Sequence, residues 1–222
     1  MGVIGVLLAL ILPALSQVRG TAQALQSQSN LRTLYIGMMF YVEGEEAYPC
    51  IVGGMLYPDI DGTSFVHTYW EVENVWHGII YPYFPHDENL EVFFSPGLSE
   101  WSPRAVPSYA YSHSFVGRPA IWSGRSLPNT AGLESPARPG AVQFPSSKVL
   151  LWDRALGFSR DAIKYDAGGN IAQATPTGFA DGSVRMLTPT SASQPVPNPL
   201  NLRDSGQVKL HNTQDGVLGR DY

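Results

Sequence analysis

The chain has 222 residues, 44% of them hydrophobic, enough to bury a core within one domain. A net charge of -5 and a pI near 5.5 give no support for a nucleic-acid surface, and none is expected. Charged residues make up only 15%, whereas Gly (22) and Pro (18) are abundant, the profile of a loop-rich β protein kept outside the cytosol. Cys50 is the only cysteine, which excludes an intramolecular disulfide and a four-cysteine metal site.

Residues 2–15, GVIGVLLALILPAL, carry no charge and no polar side chain. A full membrane span needs about 20 such residues. The run passes without a break into the helix-forming TAQALQSQSNL, where a removable signal would give way to an extended mature start. Leu31, Leu34, Tyr35, Met38, Met39 and Val42 then fall at i, i+3, i+4, i+7, i+8 and i+11, one face of an α-helix. The pattern predicts one helix over about residues 3–41, apolar all round at first and one-sided at its end, with Pro13 bending it without ending it. The expected organisation is a stem helix over residues 1–42, membrane-embedded over about 2–16, and a β-rich extracytoplasmic head over 43–222.

Beyond the stem, the acidic and basic residues separate. Residues 33–103 contain acidic side chains and no Lys or Arg, a pattern of a solvated acidic face or of a surface for a cation or basic partner. DIDG (59–62) matches the opening of a calcium loop but lacks the later ligands, so calcium is only a weak expectation and no other cofactor is expected. Residues 62–84 are rich in aromatics, among them Tyr69, Trp70, Trp76 and Tyr81, which suit either strand-forming core or an exposed surface for a glycan or a protein. LEVFF (90–94) and KVLLW (148–152) read as short strands, the second as a central one. Residues 103–145 read as a loop-rich surface insertion. GFADGSVRML (178–187) reads as a hairpin turning on Asp181 and Gly182 through a type I′ turn, and Asp215-Gly216 as a second, weaker hairpin.

Catalytic signatures are scarce. There is no GxSxG, phosphate loop or HExxH, and His67, His77, His86, His113 and His211 show no metal-ligand spacing. Ser112-His113-Ser114 places a hydroxyl beside an imidazole, but neighbours on a strand point to opposite faces. No catalytic, cofactor or metal residues are therefore expected. The acid pairs Asp153/Asp161 and Asp161/Asp166 leave a secreted hydrolase as a remote reading.

ALILPALSQVR (9–19), SQSNLRTLYIGMMFYVEGEEAYP (27–49), EVFFSPGLSEW (91–101), PSYAYSHSF (107–115), FPSSKVLLWDR (144–154) and TPTGFADGSVRML (175–187) together resemble one family. It is the bacterial type IV pilin-like proteins and type II secretion pseudopilins, in particular those whose head carries a C-terminal domain of unknown function with a His, nine residues, then Asp-Gly. The chain departs from that pattern with Ser95 for a common Cys, Ile171 for the His and Ser183 after Gly182. The basic leader and cleavage residue are absent, so the true start is expected upstream of Met1. The resemblance implies an α+β fold, a long N-terminal helix packed on a pilin-like head. It further implies a non-catalytic membrane-anchored structural or secretion-associated subunit, single-pass in the cell membrane with its head in the periplasm or outside. Its partners would be the membrane and other pilin-like subunits bound through the stem, with Pro13, Leu31, Leu34, Met38, Asp181 and Gly182 in structural roles. The alternative is an extracytoplasmic module docking a glycan or a protein through the aromatics at 69–84.

Overall fold

The computed structural model describes residues 2–51, 55–58, 64–67, 71–85, 87–98, 106–125, 135–198 and 208–222, with the backbone alone at 2–10, 55–58 and 64–67. The fold is α+β. A helix α1 (Gly2–Glu45) of 44 residues, ~66 Å at 1.5 Å per residue, leads into a head built on a four-stranded antiparallel sheet. Its strands are β3 (Tyr109–Tyr111), β4 (Val149–Asp153), β5 (Thr175–Phe179) and β6 (Val184–Leu187), hydrogen-bonded in that order. A separate hairpin joins β1 (Met55–Pro58) to β2 (Ser64–His67), and a second helix α2 (Val72–Ile80) follows.

α1 continues past Pro13 without ending, and its second half belongs to the core. Leu31, Leu34, Met38 and Val42 are buried in one apolar cluster with Trp76 of α2, Phe93, Tyr109, Tyr111 and Leu151. The helix lies across β4, β5 and β6, so the 3.6-residue stripe read in the sequence is the face laid on the sheet. At Gly37 the ring of Phe84 approaches to 2.6 Å from where a Cβ would stand, which fixes how close the chain after α2 comes to the stem.

The expected membrane-embedded first half is not supported. Among the described residues no helix is long and apolar enough to cross a membrane. Ser16, Gln17 and Arg19 end the apolar run short of the ~20 residues a span requires. The transmembrane character and the single-pass location in the cell membrane expected from the stem are corrected by this finding.

β4 is interior to the sheet, and all five of its residues are buried, which accounts for its nearly unbroken apolar sequence. The register shifts between Val149 and Leu151, so Leu150 and Leu151 both join the cluster under α1. Val149 and Trp152 face the other side, where they meet Ala110, Phe179, Ala192 and Leu210. The C-terminal segment covers this second face. The Asp221 carboxylate accepts the Val149 N–H at 2.7 Å and pairs with the Lys148 ammonium at 3.2 Å, and the Thr213 hydroxyl bridges the two side chains.

Several sequence expectations need correction. The aromatic stretch is a strand only at β2; from Val72 to Ile80 it folds as α2, where Val72, Val75, Trp76, Ile79 and Ile80 fall at i, i+3, i+4, i+7 and i+8 and are all buried. LEVFF is a 3-10 turn, Leu90–Phe93, closed by Val92 N–H to Asn89 O and Phe94 N–H to Glu91 O. Within 103–145, residues 107–117 and 121–122 belong to the core and not to a surface insertion, because β3 pairs with β4 and Phe115, Val116, Ile121 and Trp122 are fully buried, whereas 124–125 and 138–140 are exposed.

The β5–β6 hairpin forms, but not through a type I′ turn. Among non-glycine residues, positive φ does not extend to Asp181; Gly182 alone in the turn is left-handed, at φ 82°. Gly182 N–H bonds Phe179 O and Phe179 N–H bonds Ser183 O, the geometry of a type I turn followed by a glycine bulge. Asp181 selects this turn by accepting both the N–H and the hydroxyl of Ser183. Around Asp215-Gly216 there is a left-handed pair leading into a 3-10 turn, Gly216–Leu218, with an isolated bridge from Thr213 to Pro195 in place of a hairpin.

Candidate functional site

Two polar clusters and one apolar surface stand out. The first cluster centres on Asp153 at the end of β4, fully buried beneath α1. Its Oδ2 accepts the hydroxyls of Ser27 on α1 at 2.7 Å and of Ser95 at 2.6 Å. Its Oδ1 accepts the backbone N–H groups of Ala155 and Leu156 at 3.0 and 2.9 Å. Asn30 extends the node by donating to Phe94 O and to the Tyr109 hydroxyl. Burial pushes the Asp153 carboxyl up, and the four donors pull it back part of the way. Each oxygen accepts two hydrogen bonds, so this carboxylate fastens stem to head. Asp161 and Asp166, the acids it might have been paired with, lie on the exposed surface.

The second cluster brings together Glu73, His113 and His211, residues with no relation in sequence. Glu73 stands in the first turn of α2, His113 opens a 3-10 turn (His113–Phe115) directly after β3, and His211 belongs to the C-terminal segment. The neighbouring serines position the two histidines. Ser112 Oγ donates to Leu210 O at 2.5 Å and Ser114 Oγ to His211 O at 2.9 Å, clamping the C-terminal segment onto the turn. Leu210 takes a left-handed conformation, φ 67°, immediately before His211. These serines hold backbone carbonyls and are not activated by His113.

Glu73 Oε2 lies 3.0 Å from His211 Nε2 and 3.9 Å from His113 Nε2. Its other oxygen, Oε1, accepts the Asn74 amide at 3.2 Å and faces the Arg154 guanidinium at 3.9 Å. The imidazole rings of His113 and His211 lie 4.8 Å apart, and Trp152 sets its edge against His211 at 4.5 Å. Burial would raise the Glu73 carboxyl, but His211, His113, Arg154 and the Asn74 amide outweigh it and hold the group below the usual carboxylate range. Burial pushes His211 down to about 3, with His113 and Arg154 adding to the shift and Glu73 opposing it. The site is thus a carboxylate beside a neutral imidazole at neutral pH. His211 Nδ1 is buried without a hydrogen-bond partner. A cleft of about 220 Å³ adjoins the cluster, with Trp152, Arg154, Tyr165, Asn170, Lys209 and His211 on its walls.

The apolar surface belongs to the first half of α1. Ile11, Leu15, Val18 and Leu25 are each more than half exposed, at 54, 62, 64 and 60%. Ile36 and Phe40 continue exposed on the side of α1 turned away from the head.

Of the residues singled out in the sequence, Leu31, Leu34 and Met38 sit in the core, and Gly182 meets Tyr35 of α1, whose ring lies 2.7 Å from where a Cβ would be. Trp76 is fully buried, its indole N–H donating to Tyr109 O at 3.0 Å, so it presents no face to a glycan or a partner. Tyr81 is half-exposed at the end of α2, whereas Tyr69 and Trp70, like the DIDG segment, His86 and part of 103–145, lie outside the described residues. The Glu73–His113–His211 cluster escaped sequence reading because its members come from three distant segments. No family model, curated protein or solved structure matches the chain.

Proposed function

We propose that the chain is a non-catalytic, pilin-like structural or secretion-associated subunit, whose stem α1 carries the head on one half and packs against the stems of further copies with the other. The observation that supports this reading is the division of α1. One half is fastened into the core, while the other displays large aliphatic side chains to solvent. Ile11, Val18 and Leu25 recur every seven residues and Leu15 falls four after Ile11, the 3-4 spacing of a seam that accepts a second helix. Arg19 is the single charged residue between 2 and 31, so nothing on this half opposes close approach of an identical helix. A contiguous apolar face of this kind marks an interaction surface. The residues of 9–19 and 27–49 that resemble a pilin-like stem point in the same direction. The contact is helix to helix and invokes no lipid.

The test is sedimentation of the full chain beside the double variant Leu15→Lys, Val18→Lys. The wild type is expected to self-associate with concentration and the variant to remain monomeric with an unchanged far-ultraviolet circular dichroism spectrum. A wild-type chain that sediments as a monomer across the whole concentration range would overturn the reading.

A further inference from the structure

We infer that Glu73, His113 and His211 bind a single divalent cation of the zinc class, with the fourth coordination position turned toward the adjoining cleft. This goes beyond the structural role proposed for the stem and does not depend on it. Each of the three residues offers one ligand atom, and the three atoms lie within 4.8 Å of one another. Tetrahedral zinc with bonds of about 2.0–2.2 Å holds its ligand atoms ~3.3–3.5 Å apart. The 3.0 Å from Glu73 Oε2 to His211 Nε2 and the 3.9 Å to His113 Nε2 bracket that separation. Small rotations of the side chains bring all three into the coordination sphere without moving a backbone.

The donor set selects the metal. Two imidazoles and one carboxylate suit zinc and its transition-metal neighbours, whereas calcium and magnesium take oxygen ligands. Three protein ligands leave one position open, the arrangement of zinc sites that admit water or a further ligand. Of the three ligands His211 lines the cleft, together with Arg154, which contacts Glu73, so the cleft runs alongside the site.

The surroundings already order the ligands. Asn74 and Arg154 occupy Glu73 Oε1, so Oε2 is left to face the two imidazoles as a one-oxygen ligand. Ligating carboxylates are characteristically oriented by such outer contacts. Ser112 and Ser114 fix the backbone on which His211 sits, and Trp152 fixes the plane of its ring. Arg154 balances the Glu73 charge at Oε1. A cation added at Oε2 leaves the pocket with excess positive charge, so its open position favours hydroxide or an anionic donor from the cleft.

The experiment uses the untagged full chain, stripped with a chelator, then titrated calorimetrically with zinc and, separately, with calcium. One zinc per chain and no calcium is the expected result, with zinc affinity falling at least tenfold in Glu73→Gln and His211→Gln. Zinc absorption-edge spectroscopy of the loaded wild type supplies a readout independent of any variant's folding: it should report two imidazoles and no sulfur. Failure of the wild type to retain stoichiometric zinc overturns the inference. So does a first shell with sulfur or with fewer than two imidazoles, or folded variants that bind as tightly as the wild type.

Discussion

Two carboxylates of the head, Asp153 fully buried and Glu73 partly exposed, differ in how fully they are used. Asp153 receives four hydrogen bonds, two to each oxygen, from α1, from the segment after the 3-10 turn and from its own chain. Glu73 has one oxygen held by Asn74 and Arg154 and the other turned to two imidazoles at the edge of a cleft. A saturated polar node rigidifies the fold, whereas one with spare capacity beside solvent can accept a ligand. Asp153 is closed off from solvent, whereas the Glu73 side chain is 26% exposed; what separates the two is the spare bonding capacity left on Glu73 Oε2.

The sharpest way to break this contrast is Asp153→Ala, which strands two hydroxyls and two N–H groups in the core. A loss of roughly 3–5 kcal/mol is expected in urea melts; a variant within experimental error of wild type would remove Asp153 from its place as the fastening of stem to head. Gly182→Val should cost roughly 1–3 kcal/mol in the same assay, because the left-handed backbone resists a β-branched residue and the new Cβ meets the Tyr35 ring. Equal midpoints would refute the turn's docking on α1.

Asp153→Asn sharpens the comparison through pH. The folded-state pKa of Asp153 is raised, chiefly by burial, so the stabilising contribution of its protonated form is full below the unfolded carboxyl pKa and lost as pH rises through the folded value. The Asn variant carries no such dependence, so its stability deficit should narrow as pH is raised from near 4. A deficit that widens over that range contradicts the assignment. Glu73→Gln, by contrast, should change metal-free stability by no more than about 1 kcal/mol, as its carboxylate is partly exposed and loosely paired. A loss as large as that of Asp153→Ala would place Glu73 among the structural carboxylates. Val18→Lys on the free half of α1 should leave thermal unfolding of the head within about 0.5 kcal/mol while weakening self-association. A marked drop in head stability would mean that the first half of α1 is not independent of the core.

The parts of the fold legible in the sequence are those in which one periodicity dominates. Leu31, Leu34, Met38 and Val42 announce a helix face because they recur at helical spacing within a helix-forming stretch, and the Val149–Trp152 run announces an interior strand. At 72–80 the helical spacing is equally present, but the aromatic density around it favours a strand reading. Backbone propensity there yields to the amphipathic packing of Val72, Trp76 and Ile80. LEVFF has the composition of a strand and lacks a neighbour to pair with, so its polar backbone closes locally into a 3-10 turn. The candidate metal ligands were not legible at all, since tertiary contact alone assembles them. The available signals were a lone Glu in the first turn of an apolar helix and a His framed by two serines whose hydroxyls seek carbonyls.

The node at Asp153 has a mechanical consequence. Ser27 is the first fully buried side chain described along α1, and before it Ser16, Gly20 and Gln23 still line a cleft with Gly97, Gly157 and Phe158 of the head, so the 14 residues at 2–15 form a lever of ~21 Å projecting beyond that contact. Five degrees of play there would sweep the tip by ~1.8 Å, a third of the ~5.4 Å rise of one helical turn. Because Ser27 and Asn30 grip Asp153, Phe94 O and the Tyr109 hydroxyl together, tension along the stem loads these bonds side by side, and none can give without the others. The angular tolerance of the lever, and with it the accuracy with which one stem can meet the next, is set by a handful of hydroxyl, amide and carboxylate contacts just past the midpoint of α1.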